Sequence, residues 1–462
     1  ATYASSGLDR LRESDYARLD ALGHVYLDYT GGGLYGESQV REHYQLLSEG
    51  IFGNPHSHNP TSLAATDLVE SARGAVLRFF NADPAEYDVV FTPNASGALK
   101  LVGEAYPFGE GDRYLVSYDN HNSVNGIREF AGRAGAQIVY LPVRNPELRL
   151  DAEIVEHGLA QLAPGTHGLF AYPAQSNFSG VHHMMEWVDR AQALGWDVLL
   201  DCAAFAPTNR LDLSAVKPDF VPLSFYKMFG YPTGVGALIA RRESLARLCR
   251  PWFAGGTITL ASVSAGSHQL ADGHAGFEDG TVDYLGLPAV EIGLARLESV
   301  GIDAVHARVE ALASWLLAEM ADWRHSNQAP MVRIFGPETM DRRGSTIAFY
   351  LLDPEGAVYD VYRIEALAGE RLISVRTGCF CNPGDGEVAH SISAEEMSEC
   401  FRSTTVPATL IDCQRLIEDA TGKVPNTIRV SLGIASNFAD AWKFKEFALG
   451  LKDVPAEEIL SA

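Results

Sequence analysis

An aspartate and a lysine stand just beyond the ends of two apolar runs in this chain. Val198-Leu199-Leu200 reads as a buried strand with Asp201 at its carboxyl tip, and Phe220 to Leu223 delivers Ser224 and Lys227 just past its own end. Open α/β sheets bind ligands outside the carboxyl ends of their strands, so these two groups can face one ligand. Pyridoxal 5'-phosphate uses both: a carboxylate keeps the pyridine nitrogen protonated, and a lysine amine condenses with the aldehyde.

Other strand ends carry polar residues in the same way. Asp88–Thr92 is followed by Pro93-Asn94-Ala95-Ser96-Gly97 and a helical Ala98–Val102, a strand-to-helix turn whose exposed N–H groups suit a phosphate, unless Ser96 is only a helix cap. His121 follows the run Tyr114–Ser117, and Gln175 with Asn177 follows Gly168–Tyr172. Gly31-Gly32-Gly33, after a strand at His24–Asp28, permits close approach to something bound or forms a plain tight turn. Late in the chain, Arg429 on Arg429–Gly433 is a natural clamp for a carboxylate, or else a surface ion-pair residue.

Two thiols are placed for chemistry. Arg376-Thr377-Gly378-Cys379-Phe380-Cys381-Asn382-Pro383-Gly384 is a glycine- and proline-bounded loop with an arginine close by, a setting that exposes and favours a thiolate nucleophile. Cys202, Cys249, Cys400 and Cys413 sit singly and read as buried fillers, with no disulfide framework. His56 and His58 alternate as metal ligands would, but no further ligands lie at zinc-like spacing, so no metal is expected.

The elements that position these residues follow a strand–helix rhythm. Further strands read at Gln137–Leu141 and Gly234–Ala240, and helices at Val124–Gly135 and Met184–Gly195, which predicts a mostly parallel sheet covered on both faces. The spacing then predicts long amphipathic helices over Ala289–Val300 and Ala304–Trp323, bridging to an α+β remainder from about Met331. We therefore expect a large domain over 24–300 and a small one over 301–462, with the polar helical segment 1–23 packing on the latter. The net charge of −23 argues against nucleic-acid or anionic-membrane partners. No apolar run reaches the roughly 18 residues of a membrane span. The N-terminus lacks the apolar core of a secretory leader, so the cytoplasm is the expected location.

Read together, YLDYTGGGLYG, GNPHSHNP, FTPNASGALKLVGE, HNSVNGIREFA, PAQSNFSG, LSFYKMFGYPTGVGALI, FEDGTVDYLGL, RTGCFCNPG and IRVSLG resemble the class V aminotransferase-fold enzymes. Within them the chain is similar to the cysteine desulfurases, most of all to the desulfurase-like N-terminal domain of molybdenum cofactor sulfurases. The resemblance implies an α/β fold of the pyridoxal phosphate-dependent transferase type I, with a smaller α+β C-terminal domain. It implies that Lys227 carries the cofactor, Asp201 meets the pyridine nitrogen and His121 stacks on the ring. It places Ala95, Ser96 and Ser224 at the phosphate, and Thr281 at the phosphate of a neighbouring subunit, hence a homodimer. Asn177 and Arg429 would hold the substrate carboxylate, and Cys381 would form the persulfide, with Cys379 as an unassigned neighbour. Two positions depart from the desulfurases proper and match the sulfurase branch: Ala204 stands where a glutamine would bond the ring hydroxyl, and Tyr226 where a histidine precedes the lysine.

The expected activity is removal of sulfur from L-cysteine or a related sulfur amino acid, giving alanine and a persulfide for an acceptor protein or small molecule. The alternative is a C–S lyase, epimerase or aminotransferase of the same fold that forms no persulfide.

Overall fold

The computed structural model describes residues 6–250, 255–403 and 410–460. Its centre is a seven-stranded sheet built from β1 (Tyr87–Thr92), β2 (Arg113–Ser117), β3 (Gln137–Leu141), β4 (Gly168–Pro173), β5 (Asp197–Asp201), β6 (Phe220–Ser224) and β7 (Gly236–Arg241). The strands lie in the order β1-β7-β6-β5-β4-β2-β3. Only β7 runs against its neighbours; it is the return strand that follows the lysine.

Alternation along each strand divides the apolar residues between two faces. Val90, Val116, Leu169, Leu199 and Leu238 pack with Ala98, Leu99 and Val102 of the helix Ala95–Ala105. Val89, Leu115, Phe170, Val198 and Ile239 belong to the opposite core, with Val69 and Val76 of Pro60–Phe79 and Val290, Leu294 and Leu297 of Leu287–Val300. Each such leucine or valine contributes about 1.5–3 kcal/mol on burial. Both faces are covered, which is why these strands read as continuous apolar runs rather than alternating ones.

Leu287–Val300 and Ile302–Asp322 are the two long helices expected after the sheet. Gly301 joins them at φ 84°, a backbone conformation open to glycine and strained for other residues. Beyond them a second sheet contains β8 (Val332–Phe335), β9 (Thr346–Leu351), β10 (Arg376–Gly378) and β11 (Thr427–Ser431), antiparallel throughout in the order β8-β9-β11-β10. The N-terminal segment forms two helices rather than the single one expected, Ser6–Asp15 and Ala17–Ala21; residues 1–5 lie outside the described residues. Arg12 joins Asp440 at 3.0 Å and Asp9 joins Arg308 at 2.9 Å, tying the first helix to the C-terminal part of the chain.

The expected strand His24–Asp28 is shorter, Val25–Tyr26, and pairs in parallel with Ile373–Ser374; Asp28 makes an isolated bridge to Ser431. The cysteine reading also needs correction. Cys400 and Cys413 form a disulfide, because the helices Ala394–Ser403 and Leu410–Thr421 fold back on each other and bring positions 13 residues apart together. Cys249 is exposed, which leaves Cys202 as the buried filler.

Candidate active site

The carboxyl ends of β1, β2, β4, β5 and β6 converge on a cavity of about 170 Å³. Its lining includes Asn94, Ala95, Ser96, His121, Gln175, Asn177, Asp201, Ala204, Ser224, Tyr226 and Lys227. Residues from separate strand ends thus meet in one place, as the sequence predicts.

Lys227 lies in the short helix Phe225–Phe229, started by the end of β6 and stopped by Gly230 at φ 80°. Its amine has no hydrogen-bond partner among the described residues. Burial, and then the nearby Arg429 charge, lower its pKa, while Asp201 and Cys381 oppose the shift. Asp201 is buried, and its Oδ1 accepts from the Ala203 N–H at 2.9 Å. His121 accepts from the Ser123 N–H through Nδ1 at 3.1 Å; burial and the Lys227 charge push its pKa down, favouring the neutral ring.

At the other end of the cavity stands the first turn of Ala95–Ala105. Its cap is Asn94, whose Oδ1 accepts from Gly97 N at 2.9 Å, so Ser96 is not the cap. The Ser224 hydroxyl takes the Ala95 N–H at 2.9 Å, and Ser96 Oγ meets Ser123 Oγ at 2.6 Å. Three hydroxyls at a positive helix end have the chemistry to suit an anion. Ser123 was invisible as a site residue in sequence, because only the chain's path brings it beside Ser96. Thr281 is not brought to this cavity within the chain: it is exposed, and Asn54 Nδ2 donates to its hydroxyl at 3.4 Å.

The three glycines approach the chain's own backbone. Gly31 and Gly32 donate to Asp28 O in a tight turn, and Gly33 donates to Tyr226 O at 3.0 Å. A Cβ on Gly33 would lie 2.9 Å from Lys227 O, so the glycine lets this turn brace the lysine-bearing helix.

Arg429 is buried, and its Nη2 donates to Asp28 Oδ1 at 3.0 Å while Nη1 donates to Asn177 O at 2.9 Å. In the antiparallel register of β10 and β11 it stands directly opposite Arg376, a like-charge pairing that would be destabilising alone. Asp28 resolves it, because its second oxygen accepts from Arg376 Nε at 2.9 Å. The arginine expected to favour a thiolate in the cysteine loop is therefore committed to Asp28. Sequence reasoning missed Asp28, which read only as the last residue of a strand.

The thiol loop lies against this cluster. Cys381 is exposed and close enough to Lys227 to stabilise its charged form, whereas Cys379 is half-buried with its thiol pushed up by burial. Phe380 O accepts from Asn177 Nδ2 at 2.7 Å. After the thiols the loop is anchored by Asn382, which donates to Asp119 O at 2.8 Å, and by Asp385, which accepts from Ser176 Oγ at 2.6 Å. His390, on the stretch that follows the loop, faces Tyr350 and Thr427 rather than the thiols.

The chain is similar to known proteins. Residues 25–444 match the family described as aminotransferase class-V. The molybdenum cofactor sulfurase of Oryza sativa subsp. japonica is 33% identical over 96% of this chain and 57% of its own length. That of Bos taurus is 35% identical over 97% of this chain and 52% of its own length. The chain thus spans about half the length of the curated relatives it matches. The apo cysteine desulfurase of Thermococcus onnurineus superposes with a TM-score of 0.77 at 20% identity, covering 100% of both chains, a likeness of fold. The family match covers both sheets and every residue that lines the cavity, and it bears out the resemblance read from the motifs: this chain belongs to the class-V aminotransferases.

Proposed function

We propose that the protein is a pyridoxal 5'-phosphate-dependent enzyme that takes sulfur from L-cysteine or a related sulfur amino acid. It releases alanine and leaves a persulfide on Cys381 for an acceptor protein or small molecule. The observation that carries the reading is the convergence of Lys227 and Asp201 on one cavity, with the Cys381 loop lying against the same site.

The residues present fit the cofactor. Lys227 has an unpartnered amine for the aldehyde, Asp201 a buried carboxylate for the ring nitrogen, and His121 a neutral ring at the cavity wall. Ala95, Ser96 and Ser224 form the helix end that suits the phosphate. When bound, the cofactor supplies an electron sink for charge developing at the substrate α-carbon.

The chain's own groups do the rest. A lowered pKa keeps a share of Lys227 neutral and able to take the α-proton. Asn177 and Arg429 receive the substrate carboxylate; the Cys381 thiolate attacks the substrate sulfur, the bond from that sulfur to the β-carbon breaks, and the β-carbon takes the electron pair and a proton to leave as alanine. A loop suits this task because the thiol must reach the substrate and then present sulfur elsewhere.

Thr281 completes the phosphate site of a second copy of the chain, which makes the protein a homodimer. The two sheets form the cores of domains 24–300 and 301–462. The free thiols at Cys379 and Cys381 support the cytoplasm as its location, whereas the Cys400–Cys413 disulfide is of a kind that persists in oxidising compartments. Among the described residues no helix is long and apolar enough to cross a membrane. The test is alanine and sulfide release from L-cysteine with reductant, in wild type, Lys227→Ala and Cys381→Ala. Loss in both variants supports the reading; full turnover in Cys381→Ala, or pyruvate as product, removes it.

A further inference from the structure

Phe380 stands between the two thiols and occupies both groups assigned above to the substrate carboxylate. Its backbone oxygen takes the Asn177 side-chain amide at 2.7 Å, and the Arg429 guanidinium lies 4.5 Å from the centre of its ring. Arg429 Nε is buried without a hydrogen-bond partner, a donor that an aromatic ring cannot satisfy and a carboxylate can. The ring also rests on Phe178, with centroids 5.4 Å apart.

The loop is held in this shape by its contacts. Phe380 and Cys381 both have φ 55°, in the left-handed region that residues other than glycine enter only when their surroundings require it. Its two roots are fixed. On one side Arg376 is bound to Asp28; on the other, Asn382 and Asp385 are bound to Asp119 and Ser176, and a Cβ on Gly384 would collide with Tyr118 O. Between those roots Gly378, at φ 112°, closes β10 opposite Thr427, and Cys381 O accepts from the Asn122 N–H at 2.7 Å, a bond that must break when the segment moves.

We propose that Phe380 is a gate on the carboxylate clamp: a ligand carrying a carboxylate displaces its ring from Arg429, and the displacement frees the segment that bears Cys381. The inference rests on the assignment of Asn177 and Arg429 to the substrate carboxylate. It makes Phe380 a specificity-determining residue, because an amine without a carboxylate cannot lift the gate. The thiol is thereby released only when an amino acid is seated. Ring and carboxylate compete for one cation, so the ring's hold on Arg429 lowers the apparent affinity for every carboxylate ligand.

The experiment titrates the pyridoxal phosphate-loaded protein calorimetrically with L-alanine and with ethylamine, in wild type, Phe380→Ala, Phe380→Leu and Arg429→Gln. Phe380→Leu decides, since it keeps apolar contact with Phe178 while removing the ring from the guanidinium. The expected result is a tightening of L-alanine binding by about twofold to thirtyfold, the span of a cation–π contact from exposed to desolvated, with ethylamine unchanged. Unchanged or weaker L-alanine binding in Phe380→Leu overturns the gate, as does an equal gain for ethylamine. Phe380→Ala is expected to follow Phe380→Leu in direction, and a loss in Ala alone assigns the difference to Phe178 packing. If Arg429→Gln binds L-alanine as wild type does, the clamp assignment itself fails, whatever the Phe380 variants show.

Discussion

Asp28→Asn removes the carboxylate on which two cross-strand arginines depend. Arg429 and Asp28 approach at 3.0 Å with side chains 3% and 8% exposed, and burial with too little compensation already lowers the arginine's pKa. Each oxygen of Asp28 accepts from a different arginine, so an asparagine must turn its NH₂ toward one of them. Deleting one partner of a buried pair costs about 3–5 kcal/mol, because the remaining charge is left uncompensated. Arg376 is about half exposed and adds little, of order 0–1 kcal/mol. The total, about 3–6 kcal/mol, corresponds to a loss of roughly two to four and a half orders of magnitude in the folding equilibrium. Urea unfolding followed by tryptophan fluorescence reads it at equal protein concentration and cofactor saturation. Because the arginine is buried, most of the deficit is expected to persist at high salt. Saturating L-alanine is expected to recover part of it, since its carboxylate replaces the missing charge beside Arg429. A variant within about 1 kcal/mol of wild type would refute the assignment of Asp28 as the counter-charge of this cluster.

His182 and His390 are each pushed down to about 3 by burial, so between that pH and the ordinary histidine value the unfolded chain binds more protons. Stability is expected to fall as pH drops from about 6.5 toward 4.5, and His390→Gln to flatten that fall by up to about 1.4 kcal/mol per pH unit, read from melting curves. Asp385 moves the opposite way: burial, then the Asp119 carboxylate, hold it well above the usual carboxylate range. The folded state keeps a proton there that the unfolded chain releases above about pH 3.9, so this group's contribution declines as pH rises. Asp385→Asn is expected to melt higher than wild type at pH 8 and to show no gain near pH 3; a gain only at acid pH would contradict the sign. Gly33→Ala would put a methyl 2.9 Å from Lys227 O, and displacing the lysine turn is expected to cost about 1–3 kcal/mol. A titration of apo protein with pyridoxal phosphate reads that cost as weaker binding, and unchanged affinity would remove the bracing role.

The central sheet was legible because each of its strands is a short apolar run ending in turn residues, with a helical pattern between several of them. The cavity residues were legible for a related reason: a polar residue just past a buried strand has only one place to go, the carboxyl edge of the sheet. Contacts set by register or by distant packing could not be read. Asp28 and Arg429 are 401 positions apart, and only the pairing of β10 with β11 shows why one acid must serve two arginines. The Cys400–Cys413 bridge depends on how two helices fold back, which their separate patterns do not encode. The triglycine turn was read as room for a ligand or as a plain tight turn; it is a tight turn, and its third glycine packs against the lysine-bearing helix.

The most direct test of the account is the fate of Cys381 after a single exposure to L-cysteine. The loaded protein, digested without reductant and weighed by mass spectrometry, should carry one additional sulfur atom on Cys381, with alanine formed in equal amount. Lys227→Ala should carry none and form none. An unmodified Cys381 in wild type that still turns over L-cysteine would contradict the persulfide chemistry and leave a C–S lyase, epimerase or aminotransferase on this fold.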